Sequence, residues 1–427
     1  MNHHLDQNNL SEPLQSAYKS HHSTETALVK VFDDILRAID HPDTAVFLAM
    51  LDLSAAFDTV DHSILCKRLE RSMDISGKAL SWFRSYLDNR TMRVCIDNVY
   101  SEPAILNVSV PQGSKLGPRL YSDYTQPLGE IMRRIDLKYH LYADDSQLST
   151  DAFISKTESQ NTACEVLRNG IQKIQCWMTA NKLKLNPDKT EFMVISSQRN
   201  SHKIVVDSLH VGDTQVRRTN CVKNLGVLMD SSLCMKDHIA RVCQTCYYYL
   251  RWIRRIRNML DQDVTIRIIQ ALVLSRLDYC NSLLIGLPQC LIKKLQRVMN
   301  LAARIAKMAP REVSITRILY ELHWLPIAQR IQFKIALMVY KALQGNSPQN
   351  ICDMVRPYRP SRTLRSSNSQ LLDVAKVRTK YGARAFSCAA PKVWNGLPIS
   401  IRQSPSVILF RKNLKTHLFR QVYVDDS

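Results

Sequence analysis

No stretch of 18 consecutive apolar residues occurs in the 427-residue chain, which argues against a membrane-spanning helix. The opening residues, MNHHLDQNNLSEP, have neither a basic lead nor an apolar core, so no secretory leader is read there and an intracellular protein is expected. Internal repeats are lacking too, which sets repeat architectures aside. Acid is scarce in one half only. Residues 231–427 carry 10 Asp+Glu against 32 Lys+Arg, net +22, whereas residues 1–230 carry 28 against 26, net −2. A half so charged attracts a polyanion, and nucleic acid is the simplest partner. A membrane surface is the weaker reading, because the charges are scattered among apolar residues instead of massed beside a lipid-inserting face. Twelve cysteines run from Cys66 to Cys388 without a framework spacing, which favours reduced, mostly buried thiols. The single CxxC, Cys243 and Cys246, preceded by Cys234 and His238, has no second pair nearby and sits in a helical pattern, so helix core is preferred to zinc there.

What is present is apolar residues at 45%, ample for two or three domains with cores of their own. Three motifs in the first third carry the chemistry: LDLSAAFD around Asp52, VPQGSKLGP around Gln112, and YADD at Tyr142 to Asp145. Asp52 follows the apolar run Ala45 to Leu51, which has the makings of a buried strand, so its carboxylate falls where the strand gives way. HLYADDSQL reads as a hairpin with Asp144 and Asp145 at its tip. Two adjacent carboxylates and a third across the sheet repel each other unless cations lie between them, and paired divalent ions suit in-line displacement at phosphorus. Taken singly, Asp52 also reads as a helix N-cap and Asp144-Asp145 as a solvated turn.

Seven blocks in order, QSAYKSHHSTETAL, LDLSAAFDTVDHSIL, WFRSYLDNR, VPQGSKLGP, YADDSQL, WMTANKLKLNPDKTEF and NLGVLMD, resemble the reverse transcriptase of non-LTR (LINE-type) retrotransposons, the jockey and chicken-repeat types most of all. The blocks span roughly residues 14 to 230, and SRLDYCNSLLIGLP, LHWLPIAQRIQFK and YGARAFSCAAPKVWNGLP resemble the C-terminal region of the same polyproteins. The resemblance implies an RNA-directed DNA polymerase that uses two Mg²⁺ ions, with Mn²⁺ as a substitute, and takes an RNA template, a DNA primer and deoxynucleoside triphosphates. It implies a nuclear or cytoplasmic ribonucleoprotein setting, with no membrane partner. By the same resemblance Asp52 and Asp144 are bridging metal ligands and Asp145 a more peripheral one, and Phe57 is an aromatic gate against a 2′-hydroxyl. Gln112 and Gly113 lie against the incoming nucleotide or template, Lys189 serves the leaving pyrophosphate, and Leu225-Gly226-Val227 forms a primer-grip turn. Asp58 and Asp61 are expected on the solvated surface.

The chain departs from the family at Lys115, where an apolar residue is usual, and at Arg119, Leu120, Tyr121 and Asp123. It is also expected to begin partway through the fingers, with the strands that cover the triphosphate and an apurinic-type endonuclease lying upstream. Little polymerase activity is therefore expected of these 427 residues alone. The alternative reading is a truncated or inactive remnant that acts as a nucleic-acid-binding protein.

The expected fold is an α/β (α+β) right-hand palm with partial fingers, a helical thumb and a mainly helical C-terminal region, divided as 1–230, 231–310 and 311–427. Apolar spacing predicts helices from about Ser23, through Ile64 to Leu69, over Gly77 to Leu87 and over 160–181. Strands are predicted over 46–52, 90–96 and 139–148, with a pair broken by Asn186-Pro187. Past 231, helices over 236–260, 262–285 and 290–308 dominate. The run Tyr247-Tyr248-Tyr249 with Arg251, Trp252, Arg254, Arg255 and Arg257 interleaves rings and guanidinium groups as a duplex groove would, some of the rings doubling as core.

Overall fold

The computed structural model describes residues 1–54, 57–111, 113–135, 137–359 and 370–423. By contacts the chain divides into two units, Met1–His22 with Ala45–Val194 and Arg199–Thr219, and Ser23–Thr44 with Ile195–Gln198 and Asn220–Ser427. Helix and strand are mixed in both. No helix among the described residues is long and apolar enough to cross a membrane.

The first unit is built on a four-stranded sheet in the order Glu191–Ile195, Thr44–Leu51, Asp145–Phe153, Lys138–Tyr142. Thr44–Leu51 has sheet neighbours on both sides, and every residue from Ala45 to Ala49 is buried. That accounts for its unbroken apolar run, since a strand covered on both faces has no use for alternation. Lys138–Tyr142 and Asp145–Phe153 form an antiparallel hairpin in which Tyr142 faces Asp145 and Lys138 faces Ser149. The helix Thr157–Ala180 buries Ala163, Leu167, Ile171, Ile174 and Met178 along one side, the three-and-four spacing of an amphipathic helix seated on a sheet. His62–Arg71 and Gly77–Leu87 are helical as their periodicity predicts.

The strand expected over 90–96 is realised only in fragments. Thr91–Met92 pairs with Ala104–Ile105, and Cys95–Ile96 pairs with Val99–Tyr100. Ile96, Val99 and Ile105 are 69%, 72% and 72% exposed, so alternation there has no core to face. A two-stranded ribbon without a covered side gains little from its pattern.

The second unit begins with the helix Thr24–Ala38, whose capping box is complete: the Thr26 N–H donates to the Ser23 hydroxyl at 3.1 Å and the Ser23 N–H donates to the Thr26 hydroxyl at 2.9 Å. A hairpin pairs Cys221–Asn224 with Val227–Asp230. Helices follow at Lys236–Ile256, Gln262–Ile269, Gln289–Lys307, Ile327–Leu343, Phe386–Asn395 and Val407–Tyr423. A second core forms where the Tyr340 and Phe410 rings stack at 4.2 Å between centroids with Trp394 alongside, all three buried.

Candidate active site

Asp52 is the residue between the strand Thr44–Leu51 and the short strand Leu53–Ser54. Leu53 faces Leu185 in an antiparallel pair, and the Asp52 carbonyl accepts from the Asn186 N–H at 3.0 Å. These contacts bring the turn Pro187–Lys189 over the strand end, where Lys189 Nζ lies 3.4 Å from Asp52 Oδ2. The motifs LDLS and NPDK, 137 residues apart at Asp52 and Lys189, thus meet through a backbone pairing.

Asp144 occupies the two-residue turn of the hairpin and Asp145 opens its second strand. Ala143 in that turn has φ +57°, a left-handed conformation that costs a residue with a Cβ about 1 kcal/mol. Gln15 holds it there. The Ala143 N–H donates to Gln15 Oε1 at 3.0 Å and Gln15 Nε2 donates to the Ala143 carbonyl at 3.3 Å. Beside it the Leu141 N–H donates to the Leu14 carbonyl at 3.0 Å and the Ser16 N–H to the Leu141 carbonyl at 2.9 Å, so residues 14–16 line the hairpin edge. Gln15 was not singled out in the sequence, because a glutamine in a polar lead carries no local signal of a partner 128 positions away.

The electrostatics tie the three carboxylates together. Burial, then the charges of Asp144 and Asp52, push the Asp145 carboxyl up to about 6. Burial followed by Asp144, Asp145, Tyr18 and Asp52 holds the Tyr121 phenol far above its ordinary range. That phenol is 0% exposed, and its hydroxyl has no hydrogen-bond partner among the described residues. Its ring stacks on Phe57 at 4.8 Å and 27°. Phe57 is therefore half-buried against Tyr121, and its carbonyl accepts from the Val110 N–H at 3.0 Å, just before the PQGS turn.

In that turn Gly113 has φ +77°, which suits glycine. The Ser114 hydroxyl donates to the Pro111 carbonyl at 2.7 Å and accepts from the Gly117 N–H at 2.9 Å, fixing the entry to the helix Gly117–Thr125. Gln112 lies outside the described residues. Among the described residues no group of three or more His, Cys, Asp or Glu side chains forms a ready-made metal cluster. A set of carboxylates whose charges fall on the buried Asp145 carboxyl nonetheless suits a hard divalent cation, since a cation relieves the same repulsion that a proton relieves.

Three sequence expectations change. Asp61 is 6% exposed and not a solvated surface residue. It caps the helix His62–Arg71 by accepting from the Ile64 N–H and pairs with Lys182 Nζ at 2.6 Å; burial pushes its carboxyl up, but Lys182, Ser63 and Ile64 together hold it well below the usual range. Arg257 does not face a groove: it is 8% exposed and donates to the Ile305, Ala306 and Leu260 carbonyls, the first two at the end of the helix Gln289–Lys307. Of the neighbouring rings Tyr249 is half-buried, but the other three supply no core. Tyr247, Tyr248 and Trp252 are 37%, 50% and 51% exposed, while Cys243, Cys246, Leu250 and Ile253 fill the buried side of their helix. Arg255 stacks over Trp252 at 5.0 Å.

The departures Arg119 and Asp123 answer each other. They are 7% and 2% exposed and paired at 3.1 Å, with a further bond from Arg119 to the Ser11 hydroxyl at 2.7 Å. In the second unit the grip-like turn Leu225-Gly226 joins the two strands of its hairpin, with φ of +43° and +85°. A Cβ on Gly226 would stand 3.3 Å from the Tyr279 ring, and the Tyr279 hydroxyl donates to the Leu225 carbonyl at 2.6 Å.

Residues 1–229 match the family described as reverse transcriptase (RNA-dependent DNA polymerase). The probable RNA-directed DNA polymerase from transposon BS of Drosophila melanogaster is 28% identical over 251 residues, 57% of this chain and 26% of that protein. The RNA-directed DNA polymerase from mobile element jockey of the same species is 26% identical over 274 residues, 62% and 28% of the two chains. The match thus spans little more than a quarter of either relative's length. A solved apo telomerase from Candida tropicalis superposes at 11% identity with a TM-score of 0.39, over 77% of this chain and 53% of that one, a likeness too slight to add weight. Reverse transcriptases use divalent metal ions. With more than half of its length matched, the chain belongs to the reverse transcriptase family, in its non-LTR retrotransposon branch.

Proposed function

We propose that the chain carries the RNA-directed DNA polymerase activity of a non-LTR retrotransposon, adding deoxynucleotides to a primer along an RNA template. The observation that carries this reading is the convergence of the three acids: burial, then the charges of Asp144 and Asp52, raise the Asp145 carboxyl, and the same three carboxylates bear on the buried Tyr121 phenol. Asp52 and Asp144 would be the direct ligands of two divalent ions, Mg²⁺ or in its place Mn²⁺, and Asp145 an outer one. Bound there, the ions would supply an activated primer 3′-hydroxyl and charge neutralisation at the leaving pyrophosphate.

The chain's own groups do the positioning. Gln15 sets the tip that presents Asp144, and the Lys189 ammonium beside Asp52 offers a positive charge for the departing pyrophosphate. Phe57, backed by Tyr121, crowds a 2′-hydroxyl, while Gln112 and Gly113 bring backbone against the nucleotide or template. We assign 1–230 to the polymerase domain with its palm and partial fingers, 231–310 to a thumb and 311–427 to a basic C-terminal region. The exposed face of Tyr248, Trp252, Arg251 and Arg255 is suited to template–primer duplex. A ribonucleoprotein in the nucleus or cytoplasm is the corresponding setting.

Primer extension on poly(rA)·oligo(dT) with Mg²⁺ tests the reading, using the chain alone and the chain joined to the fingers segment of the jockey relative. Template-directed extension that Asp144→Asn removes is the expected result. Extension indifferent to Asp144→Asn, or none in either form, refutes catalysis at this site. Duplex binding retained by an inactive chain would then favour the non-catalytic reading, for which the net +22 of residues 231–427 already provides.

A further inference from the structure

In the second unit, away from the carboxylates, a cavity of about 510 Å³ opens between the helices Ser275–Asp278, Ile327–Leu343 and Val407–Tyr423. Its volume suits a single nucleotide. Two kinds of group meet in its wall. Arg411 and Lys415, one helical turn apart on Val407–Tyr423, are exposed and have no ion-pair partner among the described residues. Two further cations in the wall are already committed, Arg330 to Asp278 and Lys334 to Glu25 at 3.0 Å. The half-buried Phe333 lies in the same wall.

Two cations without an ion-pair partner call for an anion, and an aromatic wall suits a flat ring. A nucleotide brings both, a phosphate and a planar base. We propose that this cavity is a nucleotide-binding site. Its phosphate is held by Arg411 and Lys415, and its base stacks on Phe333. The nucleotide is either free or one unit of a single strand, and the site stands whether or not the polymerase reading does.

The test measures anisotropy of a fluorescein-labelled oligoadenylate of about six nucleotides titrated with the full chain at several salt concentrations. AMP and inorganic phosphate serve as competitors. Arg411→Ala/Lys415→Ala is compared with Lys376→Ala/Lys380→Ala, which removes the same charge from exposed positions outside the cavity wall. The cavity pair should weaken binding about 10-fold or more and lower the log–log salt slope by about 0.7, the share of one neutralised phosphate on a single strand. The control pair should change affinity less than 3-fold, and AMP should compete at far lower concentration than phosphate. Strand binding with weak AMP competition, but with the cavity pair alone impaired, supports a site that takes its nucleotide within a strand. Strong AMP competition supports one that takes it free. Equal losses in the two double variants, an unaffected cavity variant, or phosphate competing as well as AMP would each overturn the proposal. Asp144→Asn, which tests the polymerase reading, should leave this binding unchanged.

Discussion

Replacing Gln15 with Leu should loosen the tip that carries Asp144 without touching a carboxylate. Gln15 makes two bonds to Ala143 and a third from the Ala17 N–H at 2.9 Å. A typical internal hydrogen bond contributes about 1 kcal/mol net, so the pair at Ala143 is worth about 2 kcal/mol. Once it is lost, the left-handed φ of +57° at Ala143 is no longer compensated, and the turn is free to relax to a conformation that an alanine prefers. About 2 kcal/mol corresponds to a roughly 30-fold larger opening constant. Hydrogen exchange at the Ala143 amide reads this directly, and does so locally, which matters in a chain of two units whose global unfolding need not be two-state. Exchange there should quicken roughly 30-fold in Gln15→Leu, with strand amides such as Leu148 little changed. Gln15→Glu keeps the acceptor for the Ala143 N–H and loses the donor to its carbonyl, so it should fall between. Ala143 exchange within 3-fold of the parent in Gln15→Leu would show that the clamp does not hold the turn.

Two further outcomes follow from buried charge. Burial lowers the His238 imidazole to about 4, and its Nδ1 accepts from the Leu228 N–H at 3.4 Å. The unfolded chain therefore takes up the proton first: stability is complete above the ordinary histidine value of about 6.5 and is lost as pH falls from there toward 4, by on the order of 3 kcal/mol. A melting temperature that drops across this window in the parent, but is flatter in His238→Gln, is the expected result, and parallel profiles would count against it. At Arg119–Asp123, the single change Arg119→Leu should cost about 3–5 kcal/mol by leaving a carboxylate buried alone, whereas Arg119→Leu/Asp123→Leu should recover most of that loss. Additive urea midpoints across the double-mutant cycle would dismiss the pairing.

Much of the site could be read from the chain because its signals are local. The acidic hairpin tip follows from a few consecutive residues, and the helix over Gly77–Leu87 follows from the spacing of Leu80, Phe83 and Leu87. The Ser23 cap needs only Thr26 three places on. What escaped depends on partners far away in sequence. Asp61 looks solvated until Lys182 arrives, 121 positions later, and Arg257 looks like part of a basic face until the carbonyls at Ile305 and Ala306 claim it. Neither partner changes the periodicity around the residue it binds. The Arg119–Asp123 pair lay within reach of a sequence argument, being four apart on one helix, yet it looked like two departures from a family pattern because neither residue's burial is visible in composition.

The hold of Tyr279 on the Leu225-Gly226 turn bears on how the protein emerges from the ribosome. The hairpin Cys221–Asp230 is local and can pair as soon as it leaves the exit tunnel, but the hydroxyl that donates to its turn carbonyl lies 54 residues further on. At about 5–20 residues per second, the turn waits several seconds with its carbonyl facing water. A glycine with φ of +85° can rest in that geometry unaided. A bulkier residue at 226 would meet two obstacles in succession, its own backbone during the wait and the Tyr279 ring at its end, so such variants should be lost to misfolding during synthesis more often than the stability of the finished protein would suggest.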